Sequence, residues 1–300
     1  MGNLGYACIN MTLGKEGITT NRSMIKRTFL QKGIPYASEL SIQNVRDLIE
    51  IIKWNEKNDI KFFRMSSNLF PWSSEYPLSS LPHYERIKNL LAGAGNLADK
   101  YGQRITSHPG PFNVLVSPNE NVVQNTITDL SIHGEVFDLM GLSRTPYNKI
   151  NIHCNGVYGD KQSAMDRFCK NFERLPESVQ TRLTIENDDK ASMYSVKDLM
   201  YIHERIGIPI VFDYHHHKFC TGDLSEEEAL KLAASTWGDI KPVVHYSESK
   251  SLHENNDSIK PQAHSDYISE TINTYGLDVD VMVEAKAKEL TILEYKRVRT

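Results

Sequence analysis

Seven histidine, aspartate and glutamate residues stand one by one at the ends of apolar, strand-like runs, and no other feature of the sequence constrains the fold as much. The seven are His108, His153, Glu186, Asp213, His216, His245 and Glu284. The runs beside them are RITSH (104–108), KINIH (149–153), TRLTIE (181–186), IPIVFD (208–213), PVVH (242–245) and DVMVE (280–284). Side chains that follow successive parallel strands reach one common rim, which is how a (β/α)₈ barrel builds its site.

Two further strand-like runs raise the number of predicted strands to eight. They are GYACIN (5–10) and KFFRMSS (61–67). Apolar residues at helical spacing separate the strands, as in Val45, Leu48, Ile49 and Ile52 after the predicted N-cap Ser41. Further helices are predicted over 84–101, 120–139, 161–175, 193–206, 225–237, 264–275 and 286–295. This alternation predicts an α/β protein, a (β/α)₈ TIM barrel, with residues 1–300 as a single domain.

The composition predicts a globular protein with a sizeable core. Hydrophobic residues make up 40% of the 300 residues, and no run is long enough to span a membrane. The N-terminus lacks the basic and apolar regions of a secretory signal. The four cysteines, Cys8, Cys154, Cys169 and Cys220, show no C-x-x-C spacing. They therefore predict reduced thiols and a cytoplasmic protein.

The formal net charge of −4 argues against a general nucleic-acid coat, so any DNA contact must be local. One basic cluster lies between the first strand and the first helix: Lys15, Arg22, Lys26, Arg27 and Lys32. It belongs to the irregular stretch 14–40, which, like 247–263, follows a strand and would lie over the site. The cluster is either a DNA contact or a solvated loop.

The set of strand-end side chains predicts a metal centre. Buried charges are costly unless they are paired or bind a metal, so they would pack a core poorly. Histidine and carboxylate ligands without a thiolate suit hard to borderline divalent cations, and Glu186 could bridge two of them. The run 215–217 leaves the register open, so one or two of its three histidines would be ligands. His264 could complete a third position with His216, or could instead lie at a helix start.

A series of segments follows the landmarks of one known family in order: GYACINMTLG (5–14), FRMSSNLFPW (63–72), SHPGPF (107–112), NIHCNGVYGDK (151–161), LTIENDD (183–189), VFDYHHH (211–217), VVHYSES (243–249), AHSDYI (263–268) and VMVEAKAKE (281–289). Together they span nearly the whole chain. On these motifs the chain resembles the UV damage endonucleases, a family of TIM-barrel DNA repair enzymes with three metal ions that is related to endonuclease IV, and the resemblance implies a cytoplasmic protein located with the DNA.

The resemblance implies incision of duplex DNA immediately 5′ to UV photolesions, leaving a 3′-hydroxyl and a 5′-phosphate. It implies about three divalent cations, with Mn²⁺ favoured over Zn²⁺, Mg²⁺ or Co²⁺, and no nucleotide cofactor or membrane partner. The implied metal ligands are His108, His153, Glu186, Asp213, His216, His245, His264 and Glu284. Glu186 is also the first candidate catalytic residue.

The resemblance also assigns residues that face the damaged nucleotides, Tyr6 and Asn10. At the family's probing positions after His-Pro-Gly this chain has Pro111 and Phe112 in place of Gln and Tyr. Phe112 could still wedge between bases, but Pro111 cannot donate a hydrogen bond.

Two more positions depart from the family's pattern. Glu75, the second candidate catalytic residue, stands where the family usually has a histidine near the scissile phosphate. Val243 stands where some members have a lysine. These departures bear on lesion range and rate more than on the metal site.

Three alternatives stay open at the level of sequence. The first is an endonuclease IV-like enzyme that cuts at abasic sites. The second is a metal-dependent sugar isomerase or epimerase of the same barrel architecture. The third is a catalytically silent barrel that binds damaged DNA or a partner. Fold alone does not separate them, because TIM barrels host many chemistries.

Overall fold

Eight short parallel strands hydrogen-bond in chain order and close into a barrel in the computed structural model, which describes residues 2–299. The strands are β1 (Leu4–Cys8), β2 (Phe62–Met65), β3 (Arg104–Ser107), β4 (Ile150–His153), β5 (Leu183–Glu186), β6 (Ile210–Asp213), β7 (Val243–Tyr246) and β8 (Asp280–Val283). The pairing of β1 with β8 closes the ring. The predicted TIM barrel is therefore confirmed.

Helices lie between the strands and cover the barrel. They are α1 (Met11–Gly14), α2 (Lys26–Lys57), α3 (Tyr84–Lys100), α4 (Glu120–Leu139), α5 (Lys161–Phe172), α6 (Glu177–Gln180), α7 (Val196–Ile206), α8 (Tyr214–His217), α9 (Glu226–Ser235), α10 (Lys250–His253) and α11 (Glu289–Arg299), with 3₁₀ turns at Ser73–Glu75, Leu78–Ser80 and Pro146–Asn148. Within residues 2–299, none of these helices is both long and apolar enough to cross a membrane.

Helix α2, the first long helix, begins earlier than its apolar pattern predicts. It starts at Lys26, and Ser41 lies inside it, where its hydroxyl donates to the carbonyl of Ala37 at 2.7 Å instead of capping a terminus. A kink at Gly33, with φ of 61°, and Pro35 separates the first turns from the rest. The first turns pack their aromatic residue Phe29 against Trp72 at 5.4 Å between ring centroids. Tertiary packing therefore extends the helix into the stretch 14–40.

The prediction of a helix over 264–275 is wrong. This segment has no regular secondary structure, and the buried carboxylate of Glu248 accepts hydrogen bonds from the backbone amides of Ser269 and Glu270. His253 pairs with the same carboxylate. Because a side chain takes up these amides, they are not available for helical hydrogen bonds.

Two apolar clusters form the core. The larger lies between the strands and the surrounding helices, and the smaller joins Ala7, Phe62, Val211, Val243, Met282 and Trp237. Gly5 leaves room for the ring of Phe62, since a Cβ there would lie 2.6 Å from it. Near the amino ends of the strands, Arg104 is fully buried and its guanidinium lies 3.1 Å from Asp280. At the carboxyl ends of the strands, polar side chains take the place of the apolar core.

Candidate metal centre

The seven strand-end side chains converge at the carboxyl end of the barrel, as the sequence predicts. They form three groups in which the ligand atoms lie within 4.8 Å of one another: His108, His153 and Glu186; Glu186, Asp213 and His216; and Asp213, His245 and Glu284. Glu186 belongs to the first two groups and Asp213 to the last two. The two shared carboxylates therefore link the three groups into one continuous cluster.

Several atoms of this cluster fit a cation because they are buried and make no hydrogen bond of acceptable geometry in the described part of the chain, although two of them lie close to each other. They are Oε1 of Glu186, Oδ2 of Asp213 and Nδ1 of His245. Buried polar atoms in native proteins are nearly always paired, so an unpaired set that faces inward indicates a ligand. Carboxylate oxygens with imidazole nitrogens and no thiolate suit Mn²⁺, Zn²⁺ or Mg²⁺.

Backbone and carboxylate acceptors orient three of the histidines. Nδ1 of His108 lies 3.1 Å from the carbonyl of Pro109, and Nδ1 of His216 lies 2.9 Å from the carbonyl of Asn187. Nδ1 of His153 lies 3.1 Å from Oδ1 of Asp188. The second nitrogen of His108 and of His153 then faces Glu186, at 3.2 Å and 3.7 Å. Such outer contacts typically hold metal-binding imidazoles in place.

The electrostatics keep Glu186 ionised. Burial alone would raise its pKa, but the surrounding imidazoles of His245 and His153 hold the pKa well below the usual range. Burial lowers the pKa of His153, but Glu186 and Asp188 outweigh it and raise that pKa to about 9. Burial raises the pKa of Asp213 to about 7, against the opposing effect of His216. The centre therefore gathers ionised or ionisable oxygens around imidazoles.

His245 differs from the other histidines because its outer partner is an amine. Its Nε2 lies 3.1 Å from Nζ of Lys149, and its Nδ1 lies 3.1 Å from Glu186 and 3.3 Å from Glu284. Burial lowers the pKa of Lys149 to about 7 and that of His245 to about 4. His245 is therefore neutral at pH 7 and can offer a lone pair to a metal.

Two predicted residues lie beside the cluster rather than within it. His264 belongs to none of the three groups; its Nδ1 lies 2.9 Å from the carbonyl of Glu284, and its ring centroid lies 6.5 Å from that of His216. His215 is buried, and its ring contacts those of His264 and Phe219. Of the run 215–217, only His216 belongs to a metal-capable group among residues 2–299.

Tyr6 and Asn10 are buried and bonded to each other. The Tyr6 hydroxyl donates to Oδ1 of Asn55 at 2.7 Å and accepts from Asn10 at 2.9 Å, and Asn10 also caps α1 by accepting from the amide of Leu13. The alternation of β1 directs Ala7 into the smaller cluster and Tyr6 into the larger one. In this structure both residues are buried, with at most 1% of their surface exposed to solvent.

Pro111 and Phe112 lie at the mouth of two neighbouring cavities. The smaller, of about 260 Å³, is lined by Pro111 together with Arg64, His108, Pro109, Gly110, His153, Asn155 and Glu284. The larger, of about 560 Å³, is lined by Phe112, Glu75, Gly110, Asn113 and Asp129 among others. Phe112 is 87% exposed. Glu75 therefore lines the larger cavity together with Phe112, and not the smaller cavity that His108 and His153 line.

The predicted basic cluster separates into two parts. Arg22 pairs with Asp47 at 2.7 Å and also donates to the carbonyls of Thr19 and Gly17, so it holds the loop after β1 in place. The other four residues, Lys15, Lys26, Arg27 and Lys32, are exposed.

The sequence pattern did not identify four polar residues of the site, because they precede or follow the residues at the strand ends. Asn151 donates to Glu186, Arg64 pairs with Glu284, Lys149 contacts His245 and Asp188 contacts His153. Asn151 lies in β4 and Lys149 directly precedes it, two and four residues before His153 in the sequence. Strand alternation applied to the interior of the barrel would have found both.

Comparison with known proteins shows which family the chain resembles along its length. The family model described as UV-endonuclease UvdE matches residues 2–299. A UV-damage endonuclease of Schizosaccharomyces pombe is 36% identical over 308 residues, covering 99% of this chain and 50% of the relative. A UV DNA damage endonuclease of Bacillus mycoides is 32% identical over 267 residues, covering 85% and 80%. The chain spans about half the length of the relatives from S. pombe and Neurospora crassa.

The comparison of structures leads to the same family. The crystal structure of SacUVDE is similar with a TM-score of 0.86 at 32% identity, covering 99% of this chain and 98% of that one. An L-ribulose 3-epimerase, at 12% identity and a TM-score of 0.57 over 95% of this chain and 82% of that one, shares the fold alone. The matches to the family model and to its named relatives extend over most or all of the sequence, and the chain belongs to the UV-endonuclease UvdE family.

Proposed function

We propose that this protein is a metal-dependent endonuclease that incises duplex DNA immediately 5′ to UV photolesions, both cyclobutane pyrimidine dimers and 6-4 photoproducts, leaving a 3′-hydroxyl and a 5′-phosphate. The observation that carries the proposal is the set of three linked groups of histidine and carboxylate atoms, placed at the open end of a barrel of this family. The substrate is UV-damaged double-stranded DNA, and no nucleotide cofactor takes part.

Each of the three groups would hold one divalent cation, and Mn²⁺ is the ion we favour. Glu186 and Asp213 would bridge neighbouring ions, since each belongs to two groups. His264 would be an eighth ligand, because it lies next to Glu284 and its ring faces that of His216. Cations at such a site activate water and stabilise the charge on the attacking and leaving oxygens of a phosphodiester.

The surrounding residues would keep the ligands in their reactive form. Asn151 donates to Glu186 and accepts from the hydroxyl of Thr184 at 2.7 Å, so the bridging carboxylate is held by a chain of buried hydrogen bonds. Asp188 holds the ring of His153 from the outer side. This support orients the central ligands: Asn151 contacts Oε2 of Glu186, the oxygen that also faces His108 and His153.

Lesion recognition would take place at the two cavities beside Phe112. An exposed aromatic ring can wedge into a distorted base stack or stack on a base, and Phe112 projects where the cavity of about 560 Å³ opens. Pro111 forms part of the neighbouring wall. The proposed catalytic role of Glu75 requires the substrate to occupy both cavities, because Glu75 lines only the larger one. Tyr6 and Asn10 would reach a nucleotide only if the end of β1 opens.

The test is incision of a 5′-labelled duplex that carries one cyclobutane dimer, with manganese and with EDTA, mapped to the nucleotide. A metal-dependent cut directly 5′ to the dimer supports the proposal. A duplex with one abasic site and an intact duplex are run alongside. Cleavage of the abasic duplex alone would replace the proposal by an endonuclease IV-like activity. Binding of the dimer without any cut would make the protein a recognition barrel.

A further inference from the structure

We propose that Arg64 forms a phosphate subsite of this centre and binds the phosphodiester that is cleaved. The inference rests on the proposed function and adds a residue that directly contacts the substrate. Arg64 lies on β2, where it is paired in register with Ala7 of β1 and Thr106 of β3. Its side chain is 13% exposed and lines the cavity of about 260 Å³ that His108, His153 and Glu284 also line.

The guanidinium of Arg64 has donors to spare. One terminal nitrogen pairs with Oε1 of Glu284, while Nε is buried and has no hydrogen-bond partner among the residues that the structure describes. A guanidinium carries five N–H donors in a fixed fork, so a single carboxylate contact leaves most of them unused. A buried donor without a partner is uncommon in a native protein and indicates a missing acceptor.

The chemistry of the cavity identifies that acceptor as a phosphate group. Among residues 2–299, Arg64 is the only arginine or lysine that lines this cavity, and the other polar side chains there are His108, His153, Asn155 and Glu284. The carboxylates of the centre repel a phosphodiester, and a guanidinium beside them offsets this repulsion while donating in the bidentate geometry that phosphate oxygens accept. A neutral sugar or base would not need a permanent positive charge at this point.

A competing explanation is that Arg64 only holds Glu284 in place for a metal. The two roles differ in one measurable quantity, the preference of the protein for a phosphate over a hydroxyl at the incision point. A nicked, dimer-containing duplex with a 5′-phosphate at the nick resembles the product and is not cut again. The same duplex with a 5′-hydroxyl removes only the phosphate. The two dissociation constants are measured by fluorescence anisotropy with manganese present. Their ratio shows how much the phosphate contributes to binding.

We expect the wild-type protein to bind the phosphorylated nick more tightly, and we expect Arg64→Met to reduce this ratio about tenfold, as loss of a charge-assisted hydrogen bond does. Arg64→Lys should retain part of the ratio, because it keeps the charge but loses the fork. Arg205→Met is the matched control: Arg205 is half exposed on α7 and pairs with Asp166, so its ratio should equal that of the wild type. Bound manganese is measured for every variant.

The possible outcomes separate this inference from the proposed function. The phosphate subsite is refuted if Arg64→Met keeps the full ratio of dissociation constants. It is also refuted if, in both Arg64 variants, this ratio falls only in proportion to the loss of bound manganese. In either case Arg64 serves only to hold Glu284 in place. If the wild-type protein neither incises the intact dimer-containing duplex nor binds either nicked form, the proposed function fails and the subsite fails with it. A ratio that falls in Arg64→Met at unchanged manganese content supports the subsite.

Discussion

Oε2 of Glu186 lies 3.2 Å from Nε2 of His108, although 78 residues separate them in the chain. One residue ends β5 and the other follows β3, so closure of the barrel brings them together. The same carboxylate also reaches His153, His216 and His245 at 3.1 to 3.7 Å. Glu186 is therefore the centre of the cluster, and its removal should affect every group that it joins.

Glu186→Gln should keep the fold and lose metal and activity. The amide has almost the same volume, but it lacks the negative charge that a bridging ligand needs. We expect bound manganese to fall and incision of a dimer-containing duplex to drop about 100-fold or more, as when one electrostatic stabiliser is removed from a hydrolase. Elemental analysis and single-turnover incision measure both effects. Glu204→Gln, an exposed change on α7, is the control; near-normal cutting by Glu186→Gln would refute the bridging role.

Phe112→Ala should weaken the discrimination between damaged and intact duplex while metal content stays normal. Phe112 is 87% exposed, so its removal costs the fold little, whereas loss of one stacking contact should lower the preference for the lesion about tenfold. Competition binding with dimer-containing and intact duplexes gives the preference. Val298→Ala, an exposed apolar change on α11, should leave it unaltered. An unchanged preference in Phe112→Ala would remove Phe112 from lesion recognition.

Arg104→Met should strongly destabilise the protein. Arg104 is fully buried, its guanidinium faces Asp280, and it also donates to the carbonyls of Tyr147, Lys241 and Pro146. The substitution removes these donors and leaves Asp280 with only the amide of Asn3 and the more distant amine of Lys241, 3.7 Å away. Breaking a buried pair typically lowers the free energy of unfolding by about 3–5 kcal/mol. Urea denaturation measures the loss, with the exposed change Arg205→Met as the comparison. Equal stability of the two variants would show that Lys241 and Asn3 are sufficient partners for Asp280.

Glu248→Gln should loosen the segment 264–275, with an effect that depends on pH. Burial raises the pKa of Glu248, but the backbone amides of Glu270 and Ser269 and the ring of His253 outweigh it and lower the pKa below its usual value. Stability from the carboxylate is therefore present above the unfolded pKa and is lost as pH falls through the lower, folded pKa.

Hydrogen exchange of the Ser269 and Glu270 amides measures this effect. At pH 7 the wild type should protect them more than Glu248→Gln does, by about 2 kcal/mol for hydrogen bonds to a charged group. The difference should shrink as the pH falls below the ordinary pKa of glutamate. A difference that is constant from pH 7 to pH 3 would show that the charge of Glu248 does not anchor the segment.

The barrel and seven candidate ligands could be predicted because each candidate lies at, or within three residues of, the end of an apolar strand. Strands that are buried on both faces appear in the sequence as continuous apolar runs. Arg64, Lys149 and Asn151 precede the strand ends, so a search for polar residues at strand ends does not mark them. Strand alternation would have identified Lys149 and Asn151, which stand four and two residues before His153. Tyr6 is buried in the larger cluster because its neighbour Ala7 is the residue of β1 that faces the barrel interior, so its contact with a nucleotide stays a prediction. The helix over 264–275 failed because Glu248, distant in sequence, binds its backbone amides.

The most direct test of the central claim is anomalous scattering at the manganese absorption edge from crystals grown with the metal. We predict peaks within coordination distance of all three groups, with Glu186 between two of the peaks and Asp213 between two. Peaks elsewhere on the protein, or none beside Glu186 and Asp213, would contradict the assignment of these strand-end side chains to a metal centre.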